Sequence, residues 1–348
     1  MEFGVFHEFP RQAGQSEAEA FADGLALVDA AERWGLDVMW LAELHLSSIT
    51  VLASPLAIAA AIAGRTERMR IGTAVQVLPL GDPFRLAEEW ATVDQISRGR
   101  LIFGAGRSSS PRSYQAYGIP YSESKERFAE ALAIMRLAWT EPNFSFEGTH
   151  HRYAKVSLSP RPYQQPHPPI RVASSSPDTF PQLGTQGYPI LAAVRQQSIS
   201  ELKSDLESYR AAYRAAGHPG EGDVYLRIPV YVAETAEQAV AEPESSLMHS
   251  FREMASQLLD FATQAGAPPS ELQNARSQAL AALSYEEARR EKVILGTPEQ
   301  VAQRLRELQD ELGIQGILAE LNCGKRIPHD RVMRSLELLC REVMPHFR

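Results

Sequence analysis

The sequence predicts an α/β fold, a (β/α)8 barrel with insertions at its C-terminal face, on three observations. Short β-branched or apolar runs alternate with longer stretches of helical period, the pattern of a parallel sheet covered by helices. Eight such runs can be counted. The 348 residues also exceed what a minimal barrel needs by about 100, leaving room for insertions. A doubly wound open sheet is the competing arrangement.

The predicted strands are Glu2 to His7, Asp37 to Ala42, Arg70 to Val77, Leu101 to Ala105, Ile170 to Ser174, Ile190 to Val194, Tyr225 to Val232 and Ile314 to Leu318. Between them, Leu86, Trp90, Val93 and Ile96 step by 4, 3, 3, and Phe128, Leu132, Met135 and Trp139 by 4, 3, 4. Near the end, Val301, Leu305, Leu308 and Leu312, then Val332, Leu336, Leu339 and Val343, repeat the 4, 3, 4 spacing. Each set predicts one buried stripe on one helix. Thr297 before Pro298 reads as a helix N-cap and Gly313 as that helix's stop. Residues 1–348 are expected to form a single domain, with insertions at about 142–169, which is proline-rich, and 235–292, which is helical in composition. Long insertions on barrels commonly border the active-site mouth.

Composition narrows the function. Hydrophobic residues make up 44% and charged residues 22%, a globular balance, and the net charge of -8 disfavours nucleic acid or anionic membrane as partner. A small-molecule partner fits better. The most apolar stretch, Val51 to Gly64, is too short to span a bilayer and is interrupted by Ser54 and Pro55. The N-terminal MEFGVFHEFPRQ lacks the charge and apolar core of a secretory signal, so a cytoplasmic location is expected. Cys323 and Cys340 are too few for a disulfide framework, and His150 and His151, adjacent in an extended segment, point apart. No metal site is expected.

No nucleophile elbow, P-loop, HExxH or CxxC occurs. What remains lies at predicted strand ends. Gly104-Ala105-Gly106-Arg107, after the fourth strand, lacks the third glycine of a dinucleotide fingerprint, but its glycines allow close backbone approach and Arg107 offers a fork suited to phosphate. Ser174, Ser175, Ser176 and Thr179 follow the fifth strand, where hydroxyls and free amides suit phosphate oxygens. In a barrel these loops adjoin, and together they read as a cradle for one phosphate monoester. Glu43 and His45, after the second strand, are the acid–base candidates, with Glu43 orienting the histidine. The small residues of Gly72-Thr73-Ala74-Val75 leave room for a flat ring, and Phe6, His7, Tyr114 and Tyr117 are plausible pocket residues.

Taken together, WLAELH at 40–45, RIGTAVQVLPLGDPFRLAEEWATVDQISRGRLIFGAGR at 70–107 and LGTPEQV at 295–301 resemble the bacterial luciferase family of flavin-dependent monooxygenases. The similarity runs from the opening MEFGVF to Glu342-Val343-Met344-Pro345. The resemblance implies a (β/α)8 barrel and reduced FMN (FMNH2) delivered by a separate flavin reductase. It further implies O2 as co-substrate, oxygen transfer through a flavin C4a-peroxide, and a homodimer. It assigns Arg107, Ser175, Ser176 and Thr179 to the FMN phosphate. Ala74 and Val75 match the non-prolyl cis peptide beside the isoalloxazine, and Gly106 stands near the ring's reactive face. Three departures stand out: Leu44 replaces the first histidine of Glu-His-His, Gly106 replaces a cysteine and leaves more room, and serines fill 108–110. Leucine transfers no proton, so His45 is the substitute candidate. A deazaflavin-dependent hydride transfer, or a non-catalytic flavin-binding subunit, are the alternatives. The 235–292 insertion is expected to order over bound flavin.

Overall fold

In a computed structural model describing residues 1–266 and 268–348, eight parallel strands form a closed ring. They are β1 (Glu2–His7), β2 (Val38–Leu41), β3 (Arg70–Thr73), β4 (Leu101–Gly106), β5 (Ile170–Ala173), β6 (Ile190–Ala193), β7 (Val224–Val232) and β8 (Gly316–Glu320). Each pairs with its neighbour in the chain, and β8 returns to β1 with Gly316 opposite Glu2 and Ala319 opposite Val5. Closure excludes the open sheet. All eight predicted strands are present. Not foreseen were a three-residue strand, Ile294–Gly296, added to the outer half of β7, and a break that detaches Gln76–Val77 from β3.

The helices form where their ends can be satisfied. In α1 (Glu17–Trp34), Ser16 and Glu19 make a reciprocal capping box and Gly35, at φ 87°, turns the chain out of the helix. Next come α2 (Pro55–Ala63) and α3 (Pro83–Ser97), the latter capped by Asp82 accepting from the Arg85 amide with proline in its first turn. Then follow α4 (Ser124–Thr140), α5 (Thr179–Gln186) and α6 (Ile199–Ala215). After β7 the chain makes α7 (Glu244–Gln264), α8 (Glu271–Ala282) and α9 (Pro298–Leu312). The last α-helix, α10 (His329–Leu338), continues as a π-helical turn over Leu339–Val343.

Val301, Leu305, Leu308 and Leu312 are all buried on α9, which starts at Thr297 and stops at Gly313 in the left-handed conformation. The stripe on α10 also stays buried through the π turn. One expectation fails on α3: Ile96 is 52% exposed. The inner face of that helix is instead Ala87, Trp90, Ala91, Asp94 and Ser97, and buried Asp94 accepts from the Gln164 amide at 2.9 Å and from its side chain at 2.8 Å. The proline-rich insertion thus covers a polar strip that periodicity assigns to solvent. The same insertion forms an antiparallel hairpin, Phe144–Glu147 with Arg152–Val156, whose Tyr153 packs on Phe84 and donates to Asp82 at 2.9 Å.

The second insertion behaves differently. Leu247, Phe251, Met254 and Leu258 of α7 pack with Leu280 of α8, Ala288, Val293 and Cys323 into an apolar cluster of their own. This seats α7 across one side of the barrel mouth. Among the described residues, no helix is long and apolar enough to cross a membrane, and no group of three His, Cys, Asp or Glu side chains is placed to hold a metal.

Candidate active site at the barrel mouth

A cavity of ≈ 360 Å³ opens at the carboxyl ends of the strands. It lies within the roughly 300–1,000 Å³ range of small-molecule sites, and at the face where barrel enzymes place their chemistry. Its wall takes Leu44 after β2, Ala74 and Val75 after β3, Ser108 to Ser110 after β4, and Ala173 to Ser175 at β5. Leu191 to Ala193 and Arg195 to Gln197 come from β6 and its loop, Arg227 from β7 and Leu318 from β8. Met254, Gln257, Leu258 and Phe261 of α7 form the cover.

The Ala74–Val75 peptide is cis, as the resemblance implies, and both residues face the cavity. Around it, side chains replace sheet hydrogen bonds. The Thr73 hydroxyl donates to the Gly104 carbonyl at 2.8 Å and accepts from the Gly104 amide at 3.1 Å, bridging β3 and β4 where the ladder is interrupted. Any Cβ on Gly104 would sit 1.7 Å from the Thr73 carbonyl oxygen, so only glycine fits. Gly106 differs from expectation. A Cβ there would lie 2.1 Å from Val75 Cγ2, so the absent side chain leaves no extra room: the valine fills it.

Glu43 and His45 do come together, with His45 Nε2 hydrogen-bonded to Glu43 Oε1 at 2.8 Å. The other carboxylate oxygen accepts from Gln76 Nε2 at 2.5 Å and from the Val77 amide at 2.8 Å. Gln76 in turn accepts from the Trp90 indole at 3.4 Å. Burial pushes the Glu43 carboxyl above its ordinary range, although the bonds from His45 and Val77 partly counter it. His45 Nδ1 lies 3.2 Å from the Tyr117 hydroxyl, while Leu44, between the two polar residues, takes the place on the cavity wall. The pair therefore grips the segment that follows the cis peptide. The other aromatic candidates also sit in packing roles. Phe6 stacks under Arg227 at 3.5 Å, Tyr114 donates to the Arg107 carbonyl, and His7, packed on Phe9, is driven by burial to about 4 and stays neutral.

The phosphate candidates lie on adjacent strands, since Ala105 of β4 pairs with Val172 of β5. Ser175 is exposed on the cavity wall and Ser176 is exposed beside it. Thr179 opens α5, its hydroxyl donating to the Ser176 carbonyl at 2.7 Å and 2.6 Å from the Ser174 hydroxyl. Arg107, just after β4, is not on the cavity wall: its guanidinium donates to Ser124 Oγ at 2.8 Å and lies 5.6 Å from the Tyr121 ring centre, so it is not brought together with the β5 hydroxyls.

Sequence reasoning missed a charged cluster behind the cavity wall. Arg227, inside an otherwise apolar strand, forms a two-pronged pair with Glu320 at 2.8 and 3.0 Å. Glu8 lies 2.9 Å from Lys325 and 3.9 Å from Arg227. Burial works to raise the Glu8 carboxyl, but Lys325, then Arg227 and Arg195, outweigh it and hold it at about 2. The available signal was polar residues, Arg227 and Glu320, inside strands that a buried parallel sheet makes apolar.

The description "luciferase-like monooxygenase" belongs to the family whose model matches residues 1–315. The chain belongs to the luciferase-like monooxygenase family. It is 28% identical to limonene 1,2-monooxygenase of Rhodococcus erythropolis over 354 residues, covering 100% of this chain and 87% of that one. With the oxygenase component of a flavin-dependent trigonelline monooxygenase of Acinetobacter baylyi it shares 25% over 361 residues, 100% and 96% of the two chains. Other alignments are partial: 54% of an uncharacterised Sinorhizobium fredii protein at 35% identity, and 61% of the alkanal monooxygenase alpha chain of the Kryptophanaron alfredi symbiont at 30%. Among solved structures of the family's barrel, monooxygenase RslO1 of Streptomyces bottropensis superposes with a TM-score of 0.79 at 27% identity over both full chains. The FMN-bound oxygenating constituent of 3,6-diketocamphane monooxygenase of Pseudomonas putida gives 0.82 at 21%, covering 99% and 98%. An F420-dependent secondary alcohol dehydrogenase shares the fold at 16% identity and a TM-score of 0.74, covering 100% and 99%.

Proposed function

We propose that this protein is a monooxygenase that uses reduced FMN from a separate reductase, together with O2, to oxidise a small organic substrate. The observation that carries this reading is the cavity at the barrel mouth, walled by Ala74 and Val75 after β3 and, two strands along, by the Ser174 and Ser175 hydroxyls after β5. The residues present suit a flavin. Val75, Leu191 and Leu318 offer apolar surface to a flat ring, and Ser175, Ser176 and the start of α5 offer donors to its phosphate; Arg107, just after β4, is turned to Ser124 and would supply charge on swinging from it toward β5. When bound, reduced flavin supplies the electrons that activate O2.

In this reading the chain's own groups bind, orient and exclude water. Glu43, through Gln76 and the Val77 amide, fixes the segment behind the ring, and His45 holds Glu43 in place. Met254, Leu258 and Phe261 on α7 close the outer side, where an apolar cover keeps bulk water from the reacting atoms. Arg107→Ala is expected to weaken FMN binding by about 10-fold or more through loss of a charge-assisted contact, measured by fluorescence titration. Unchanged affinity removes Arg107 from the cradle. O2 uptake with reduced FMN, and label from O2 in a product, supports the oxygenase. Turnover with a reduced deazaflavin and none with FMN overturns it.

A further inference from the structure

A cluster of charges lies behind the cavity wall, and only its cations Arg195 and Arg227 reach the cavity itself. Arg227 has its counter-ion in Glu320, and Lys325 has Glu8. Arg195, on the cavity wall after β6, has no ion pair within 4.0 Å among the described residues. Three cations thus share two carboxylates, and both carboxylates are already held by the other two cations. Burial works against the Arg195 charge, but Glu320, then Cys323, Glu8 and Glu253, outweigh it from beyond ion-pair distance, so its counter-charges all lie behind the cavity wall. Among the described residues no carboxylate lines the cavity. A guanidinium on a cavity wall with no directly paired counter-ion is a place where an anionic ligand gains a charge-assisted contact.

Its placement is held from behind. The carbonyl of Gln197 accepts from buried Lys292 at 2.7 Å, and the Gln197 side chain accepts from Arg276 of α8 at 3.0 Å. The loop bearing Arg195 is thereby tied to the second insertion. Gln196 and Gln257 supply neutral donors on the same wall, and Met254, Leu258 and Phe261 of α7 supply apolar surface.

We propose that Arg195 is a specificity-determining residue that receives the anionic group of the substrate, so that the substrate class is a small monoanion, a carboxylate or sulfonate, with an apolar body. This rests on the flavin-site reading above, because the ring then occupies the Val75 side and leaves the Arg195 side to substrate. The flavin itself is the other possible source of an anion, and the experiment separates the two. Octanoate, octanesulfonate and 3-phenylpropanoate would be titrated calorimetrically into FMN-loaded protein, against octanamide, octanesulfonamide and 3-phenylpropanamide. The expected result is binding of at least one acid 10-fold or more tighter than its amide. That preference should vanish in Arg195→Met, persist in part in Arg195→Lys, and leave FMN affinity unchanged in both. Equal affinity for acid and amide, or no binding by any probe, overturns the proposal. So does an Arg195→Met variant that keeps the preference but binds FMN 10-fold more weakly, since the cation then belongs to the cofactor. If FMN fails to bind the wild type, the flavin reading fails, and the acid–amide comparison on the FMN-free protein still decides the anion site. Circular dichroism of each variant confirms that it is folded.

Discussion

Two corners of the barrel mouth hold most of its polar side chains, and they are built on opposite principles. At the β2–β4 corner the polar side chains are linked to one another: Thr73 bridges Gly104, Glu43 serves His45, Gln76 and Val77, and His45 reaches Tyr117. At the β6–β8 corner two ion pairs close among themselves and leave Arg195 over. The first corner spends its polarity on holding a backbone shape that faces the cavity. In the second, one charge faces the cavity unmatched. Residues that look catalytic as types can be tied up in hydrogen bonds behind a cavity wall, and a charge on the wall without a direct ion pair is the more accessible group.

Breaking the second corner is expected to cost the most. Glu320→Leu strands the Arg227 guanidinium in the barrel interior, which costs roughly 3–5 kcal/mol and lowers Tm by of order 10 °C. Adding Arg227→Met to that variant should recover most of the loss, and calorimetry of the two proteins checks it. If the single variant melts like the wild type, the pair is not a structural element.

A second test sits between the corners, at His7. Burial lowers its pKa from 6.5 to about 4, so the folded protein keeps it neutral while the unfolded chain takes up a proton below 6.5. Its contribution to stability is therefore complete above pH 6.5 and is lost as the pH falls toward 4, roughly 3 kcal/mol in all. Urea unfolding at pH 7 and pH 4.5 should show a smaller difference for His7→Phe than for the wild type. Equal differences would mean that His7 is protonated in the fold.

The smallest expected effect sharpens the first corner. Gly106→Ala forces a methyl into the space of Val75 Cγ2 and should cost about 1–3 kcal/mol. Val75→Ala in the same chain should restore most of it, because the two side chains compete for one volume. A double-mutant cycle by chemical denaturation measures the coupling, and additive losses would show that the two positions are independent.

Much of the scaffold was legible before any coordinates. The eight strands followed from apolar runs, and the helix ending at Gly313 followed from its cap and stop. Less legible was whatever depends on a neighbour distant in sequence. Ile96 continues an apolar stripe but is exposed, because Gln164 covers Asp94 on the other side of α3. Gly106 read as free space, although Val75 occupies it. His45 read as the proton carrier, yet Leu44 holds the cavity position.

By itself the sequence determined the closed barrel's ingredients, since periodicity and capping are local properties that each segment carries wherever it lies. It also placed the candidate ligand contacts at strand ends, because a strand's direction fixes which end opens on the mouth. Tertiary structure alone decided which of those polar groups are already satisfied. That depends on charges and hydrogen bonds between residues on different strands and loops, as far apart as Arg227 and Glu320, and Coulomb attraction follows distance in space, not in sequence.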